Sequence, residues 1–447
     1  MPRLLLINPS PKDYSLARQG FKVQPLNLAY LAALTPKNWD IEIADESVAP
    51  AVVRREGADL VAITTLTATV NRAYELAAEY RSVNVPVVLG GIHVSMVPGE
   101  ARQFADCVVT GEAEPVWPRV VEDFERGALQ PQYEGGLADF TRAVYPRRDL
   151  LSSGYTIASV QTSRGCPFNC EFCSVKAFNG SEFRQREVDD VLAELETIPQ
   201  RLVFFTDDNL VGYSAASRER AKAIFRGMIE RKLNKRWLCQ ASINIADDPE
   251  TLRLAARSGC MVVLVGIESV DDSVLQGKMN KQVNSRRGSG YYDDLIRALH
   301  RHRIIVIGTM IFGNDEEAAD VFDQTTRFCR RSGLDVPWPG LLTPYPGTGL
   351  HKRLAEEGRI LFDRYPEDWQ KYNSSIVFKP ANRSREEMYA RLMKFVARNY
   401  SSARVLQRAA RALLYTRSPL QALLAYDLNK SLARRLGRGV TLPEVPQ

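Results

Sequence analysis

Apolar residues in the first 130 positions come in short continuous runs rather than in alternation with polar ones. RLLLI (3–7), IEIAD (41–45), DLVAIT (59–64), VPVVLGG (85–91) and DCVVTGE (106–112) carry no consistent polar face. PLNLAYLAAL, TVNRAYELAAEYRS and PVWPRVVEDFERG between them show helical spacing. Strands without a polar face belong to a parallel sheet covered on both sides. Residues 1–130 therefore predict a doubly wound, Rossmann-like α/β domain, with any ligand at the carboxyl ends of its strands. Residues 131–152 lose the pattern and carry Pro and Gly, so they read as a linker. A second series fills 153–350, with strand candidates TIASVQT (156–162), RLVFFTD (201–207), RWLCQAS (236–242), MVVLVGIES (261–269), IIVIGTMIFG (304–313) and VPWPGLLTPY (336–345). Six βα units predict a partial (β/α)6 barrel of TIM type, whose chemistry belongs at the carboxyl ends of its strands.

Two stretches break this rhythm. GKMNKQVNSRRGSGYY (277–292) is polar and Gly-rich and reads as an exposed or mobile loop. Residues 351–447 read as a mostly helical, basic extension that closes over the barrel mouth and helps select the substrate. Trp338, Tyr345, Trp369 and Tyr372 are candidate pocket aromatics, with core packing as the competing role.

A chain of 447 residues suits two domains and an appendage. Hydrophobic residues make up 45% and charged ones 25%, and no apolar run approaches the roughly 18 residues of a membrane span. The opening MPRLLLINPSP breaks at Asn8 and Pro9, as a first strand does and a signal peptide does not. A cytoplasmic location follows. It agrees with seven cysteines of which four (Cys107, Cys239, Cys260, Cys329) are scattered, unlike a secreted disulfide framework. Much of the net charge of +6 falls after Pro380. That asymmetry points to an acidic partner, substrate or lipid surface, against the plainer reading of a solvated helix face. Nothing points to nucleic acid.

The remaining three cysteines, Cys166, Cys170 and Cys173, lie in SRGCPFNCEFCSV just after the first barrel strand. Three thiols cannot pair off as disulfides, and structural zinc is usually closed by two separated pairs of ligands. Thiolates also favour copper(I) and iron–sulfur clusters. A cubane held by three cysteines leaves one iron open for a substrate or cofactor. Three buried, unligated thiols are the bland alternative.

The C-x3-C-x2-C pattern, with Phe172 before the last cysteine, resembles the radical S-adenosylmethionine (radical SAM) enzymes. The resemblance runs from about residue 3 to residue 380 and is strongest to the branch with an N-terminal cobalamin-binding domain. It implies a [4Fe-4S] cluster on Cys166, Cys170 and Cys173 whose open iron chelates S-adenosylmethionine. TDDN (206–209), QASINIA (240–246) and GIES (266–269) match strand-end motifs of the family, which implies cofactor contacts from Asp207, Asp208, Asn209, Ser242, Asn244 and Glu268, together with Phe172. GTMIFGND (308–315) and LLTPYPGT (341–348) match later strand ends. In the first domain, ITTLTAT (63–69), GGIHVS (90–95) and TGEAEP (110–115) resemble the loops that enclose cobalamin, through Thr64, Thr65, Gly90, Gly91, Gly111 and Glu112. Paired glycines at 90 and 91 suit close approach to a flat macrocycle. The Asp-x-His-x-x-Gly motif of domains with a lower axial histidine is absent, and His93 reads as a packing residue. Asn27 stands where the family commonly has Gly.

The implied function is cobalamin-dependent radical methylation of an unactivated carbon, through a 5′-deoxyadenosyl radical and methylcobalamin. The substrate would be a small or lipid-like molecule, and the electron donor a flavodoxin or ferredoxin. Cyclisation, ring rearrangement or oxidation without methyl transfer, with or without bound cobalamin, is the alternative. A non-catalytic scaffold retaining the fold is a third reading, opposed by the cysteine trio. The sequence marks no catalytic acid or base.

Overall fold

The computed structural model describes residues 1–10, 22–48, 57–141, 144–373 and 375–445. Its first sheet contains β1 (Arg3–Asn8), β2 (Asp40–Asp45), β3 (Leu60–Thr64), β4 (Val87–Gly90), β5 (Cys107–Gly111) and β6 (Gln132–Gly136). They lie in the order β2-β1-β3-β4-β5-β6, every neighbour parallel. Leu4 and Leu6 of β1 enter one core with Leu28, Trp39 and Trp117. Ile7 enters another with Val70, Ala73 and Leu76. The continuous apolar runs of β1, β3, β4 and β5 thus mean burial on two faces, as expected, whereas β2 lies at the sheet edge with no buried residue.

β6 falls within the stretch read as a linker, and this corrects the boundary. QYEGG contains no β-branched residue, so propensity is silent there. Its place comes from in-register pairing with β5 and from burial of Tyr133.

The second sheet runs β7 (Ile157–Val160), β10 (Leu202–Phe205), β11 (Arg236–Ala241), β12 (Cys260–Glu268), β13 (Ile305–Phe312) and β14 (Val336–Leu341) in strict sequence order, all parallel. A two-residue ribbon, β8 (Ser163–Arg164) against β9 (Arg184–Gln185), closes the excursion between β7 and β10. The connecting helices carry their own stop signals. Pro249–Ser258 begins with Asp248 capping the Glu250 amide and ends at Gly259, whose φ of 109° is the left-handed cap that glycine supplies.

The extension after β14 differs from expectation. Phe362, Trp369, Tyr372 and Val377 return to the first domain and join the core beside Tyr74 and Tyr80, so Trp369 and Tyr372 are core residues rather than pocket lining. The three long helices Arg385–Asn399, Ser402–Thr416 and Pro419–Gly439 then pack on the barrel. Gln421 donates to the carbonyls of Met261 (3.3 Å) and Arg303 (2.8 Å), and Asn429 to that of Asp335 (2.9 Å). These carbonyls stand at the amino ends of β12, β13 and β14. Much of the extension therefore covers the barrel floor and its β14 edge, not the mouth, because Leu424, Ala425, Leu432 and Leu436 join the barrel core.

The stretch 277–292 is folded as well. Met279, Val283 and Asn284 are buried, and Asn284 donates to the carbonyls of Gly266 and Ile267 at 2.9 Å each. Polar composition hid this, since only a few apolar residues, Met279, Val283 and Tyr292, enter the core and internal hydrogen bonds hold the polar ones.

Candidate functional site

The cysteine loop leaves β7 at its carboxyl end and is fixed from several sides. Gly165 has a φ of 91°, and a Cβ there would lie 1.9 Å from the Glu182 carbonyl oxygen, so a side chain is excluded. The Cys166 amide donates to Gly180 (3.2 Å), and that of Glu171 donates to Met279 (3.3 Å) in the segment first read as a loop. The Glu171 carboxylate receives a fork from Arg353 at 2.6 and 3.0 Å. Arg353 also donates to Asp315 (2.9 Å), which Arg359 grips at 2.7 Å. Phe172 packs with Leu342, Leu350, Leu354 and Phe378.

Burial would raise the Asp315 carboxyl, but Arg359, Lys278 and Arg353 outweigh it and hold it down at about 2 from the ordinary 3.8. A depressed carboxyl contributes stability that is complete above its unfolded value and is lost as pH falls through the folded one. Asp315→Asn should therefore cost about 2 kcal/mol at neutral pH. The difference from wild type should shrink as pH falls from 3.8 to about 2. Denaturant titration at several pH values checks this, and a pH-independent difference would refute it.

All seven cysteines are free, and the three of the loop are partly exposed whereas the other four are buried. Burial pushes the Cys173 thiol up to about 11, against the Val175 amide and Lys281, which favour the thiolate. Cys170 is likewise raised by burial and drawn back by Lys281. Lys281 sits 3.0 Å from Glu268. Burial opposes its charge, yet Glu268 and the thiols of Cys170 and Cys173 raise its pKa. Among the described residues no three His, Cys, Asp or Glu side chains converge as ligands of a single ion do. Three thiolates with no fourth protein ligand beside them are the donor set of a cluster that keeps one iron open.

Polar strand ends surround the thiols, but they divide into two tiers. Asp207 is fully buried and accepts from the Thr162 amide at 3.1 Å, the Thr162 hydroxyl at 2.8 Å and the Ser163 hydroxyl. Asn209, also fully buried, donates to Gly212 (2.8 Å) and accepts from the Ser242 amide (3.2 Å). These two brace the strand ends beneath the thiols through internal hydrogen bonds. Asp208 faces Cys173 and is pushed up to about 6, by burial first and by the charge of Asp207 second. Asn244 donates to Gly212 (2.8 Å) while its Oδ1 is buried without a partner. That unfilled acceptor suits a ligand amine or hydroxyl. Glu268 lies at a bulge with a φ of 62°, and its carboxylate also faces the Thr309 hydroxyl at 3.4 Å.

In the first domain the expected residues stand at the carboxyl ends of β3, β4 and β5, and several are already engaged. Thr64 accepts from Asn27 (2.9 Å), and Thr65 donates to the Gly90 carbonyl (2.9 Å). A Cβ on Gly91 would lie 2.6 Å from the Thr65 carbonyl oxygen, so this glycine serves loop packing. At Gly111 a Cβ would meet the Gly136 backbone at 2.9 Å, whereas at Gly90 it would make only ordinary contact with Val109 at 3.7 Å. Glu112 is buried against Arg164 (3.0 Å), Arg184 and the Ala138 amide (2.8 Å), a clamp between the first sheet and the base of the cysteine loop. His93 is wholly buried, with Nδ1 3.1 Å from the Thr67 hydroxyl and its ring edge-on to Trp369. It is a packing residue.

The sequence reading missed several members of the site. Tyr213 lies 3.3 Å from the Cys166 sulfur and stacks edge-on with Phe168 and Phe183, walling the thiols from one side. Leu66 and Leu137 are exposed at the carboxyl edge of the first sheet, and Leu137 abuts Gly180 of the cysteine loop. Exposed apolar side chains at this edge fit the face of a macrocycle. The arginines and Lys281 left no local pattern to find.

Comparison with known proteins gives three consecutive matches to family models. They are a B12 binding domain over residues 15–121, the Radical SAM superfamily over 160–328, and a domain of unknown function (DUF4070) over 348–434. The bacteriochlorophyllide d C-12(1)-methyltransferase of Chlorobaculum tepidum is 29% identical over 419 residues, 90% of this chain and 88% of that protein. The hopanoid C-2 methylase of Rhodopseudomonas palustris is 25% identical over 353 residues, 76% of this chain and 66% of that protein. The fold is shared with the radical S-adenosylmethionine methyltransferase TsrM of Kitasatospora setae, solved with cobalamin and a [4Fe-4S] cluster (TM-score 0.70, 17% identity, 98% of this chain and 99% of that one). It is shared also with the cobalamin-dependent S-adenosylmethionine radical enzyme OxsB (TM-score 0.73, 14% identity, 97% and 71%).

Proposed function

The chain belongs to the radical S-adenosylmethionine enzymes that carry an N-terminal B12-binding domain, and on that premise we propose that it methylates an unactivated carbon of a small or lipid-like molecule. The observation that carries this reading is the Glu112 clamp. It joins the carboxyl end of β5 to Arg164 and Arg184, so that two domains each suited to one cofactor open toward one space. When bound, the cluster and S-adenosylmethionine supply a carbon-centred radical that abstracts hydrogen from substrate, and cobalamin supplies the methyl group.

The chain's own contribution is placement. Cys166, Cys170 and Cys173 would hold three irons of the cluster, and Lys281 would offset the negative charge they gather. Asp208, Ser242, Asn244 and Glu268 line the S-adenosylmethionine side, with Phe172 fixing the loop from behind. Thr64, Gly90 and Leu66 would face the macrocycle. Tyr213, Phe168 and Phe183 exclude water, which protects a reactive radical. No histidine of the first domain is free to ligate cobalt from below, since His93 is enclosed. Seven free thiols and an oxygen-sensitive cluster suit the reducing cytoplasm, where a flavodoxin or ferredoxin would donate electrons.

Anaerobic holoenzyme given reductant, S-adenosylmethionine and a panel of bacteriochlorophyllides and hopanoids tests the reading by mass spectrometry. The expected product is heavier by one methyl group, with 5′-deoxyadenosine and S-adenosylhomocysteine formed alongside. Protein that takes up a full cluster but no cobalt, when expressed with cobalamin import, would overturn methyl transfer. The cobalamin-free radical reactions would then take its place.

A further inference from the structure

We infer that the barrel floor, on the face opposite the cysteine loop, is a docking surface for an anionic membrane. In a parallel barrel every helix-to-strand turn lies at the amino ends of the strands. The turns 199–201, 231–236, 257–259 and 301–303 contain no acidic residue, and the stretch 330–335 that leads into β14 contains only Asp335, which is buried. Arg201, Lys232, Arg236, Arg257, Arg301 and Arg330 are exposed in them, and among the described residues they make no ion pair.

The helices that cross this floor add an apolar ridge. Leu406, Leu413 and Leu414 of Ser402–Thr416 and Leu420 and Leu423 of Pro419–Gly439 are exposed, Leu414 to 79% and Leu423 to 55%. Leu406, Ala410, Leu413 and Arg417 follow a spacing of four, three and four, which is one helix face. Arg411 on the same helix donates to the carbonyls of Gly333 and Leu334, and Gln421 to those of Met261 and Arg303, which fixes the ridge beside the cationic turns. No Asp or Glu occurs between Glu387 and Asp427.

Helix dipoles favour basic residues in last turns, and this accounts for Arg257, Arg301 and Arg330 taken alone. It does not account for a row of exposed leucines set among them. Leucines set among cations, most of them without an acidic partner, match a lipid interface, where apolar side chains enter the acyl boundary and cations meet headgroup phosphates. A second copy of the chain is disfavoured, because pairing two such floors would oppose like charges. Attachment would be peripheral, since among the described residues no helix is long and apolar enough to cross a membrane.

Full-length, cluster-loaded protein should co-sediment with vesicles of phosphatidylcholine mixed with phosphatidylglycerol and stay in solution with phosphatidylcholine alone. Each basic residue near an anionic surface contributes roughly a factor of five to binding. The Arg301→Glu/Arg330→Glu pair and the Leu413→Ser/Leu414→Ser pair should each lower partitioning more than ten-fold while leaving iron content unchanged. Equal binding by wild type and both variants would overturn the inference. So would a lipid-independent dimer, seen by sedimentation velocity, that the leucine variant abolishes.

Discussion

Replacing Cys166, Cys170 or Cys173 by Ala is expected to abolish formation of 5′-deoxyadenosine and to leave the purified protein without a stable cluster. On the proposed assignment each thiolate would hold one iron of a site that lacks a fourth protein ligand, so loss of one would leave two open irons and an unstable cubane. The control lies in the same molecule. Cys239, Cys260 and Cys329 are buried in the barrel core and raised in pKa by burial, so they are poor thiolate donors. Changing any of them to Ala should leave iron and sulfide content and the cluster spectrum intact. A Cys170→Ala protein that still cleaves S-adenosylmethionine would remove the basis for assigning the loop.

Glu112→Ala should produce the largest change in stability of any single polar substitution in this region, about 3 to 5 kcal/mol. Burial alone would raise the Glu112 carboxyl, yet Arg184, Arg164 and the Ala138 amide outweigh it and hold it below the usual range. Removing it leaves Arg184, only 10% exposed, with no carboxylate partner, and leaves Arg164, 11% exposed, to Glu114 alone at 2.6 Å. The damage falls on a join between domains, because Glu112 follows β5 whereas Arg164 and Arg184 form the ribbon at the base of the cysteine loop. Calorimetry should show the first domain melting separately and earlier, and cluster retention should drop with it. Adding Arg184→Leu to the Glu112→Ala background should recover part of the loss by removing one orphaned charge. Wild-type stability in the single variant would show that water satisfies the arginines and that the clamp holds nothing.

Local pattern determined both sheets except β6, which pairing with β5 alone placed. Apolar runs without alternation can be satisfied only by burial on two faces, and the order of βα units along the chain leaves parallel neighbours as the economical arrangement. The cysteine loop was equally legible, since three soft ligands within eight residues are a property of spacing and not of context. Tertiary structure decided the rest, because it turned on what each polar group met across the chain. Asp207 and Asn209 carry strand-end chemistry in sequence, but their hydrogen bonds are spent on Thr162, Ser163, Gly212 and Ser242, which only folding brings to them. Glu112 looked like a ligand residue until two arginines 52 and 72 positions away closed on it. Lys281 lay in a stretch whose polarity suggested solvent, and it gained its role from Glu268 and from thiols far back along the chain. The basic tail could be counted from sequence, but its position on the barrel floor could not. That position follows from side chains such as Gln421 and Asn429 bonding to carbonyls of strands more than ninety residues earlier.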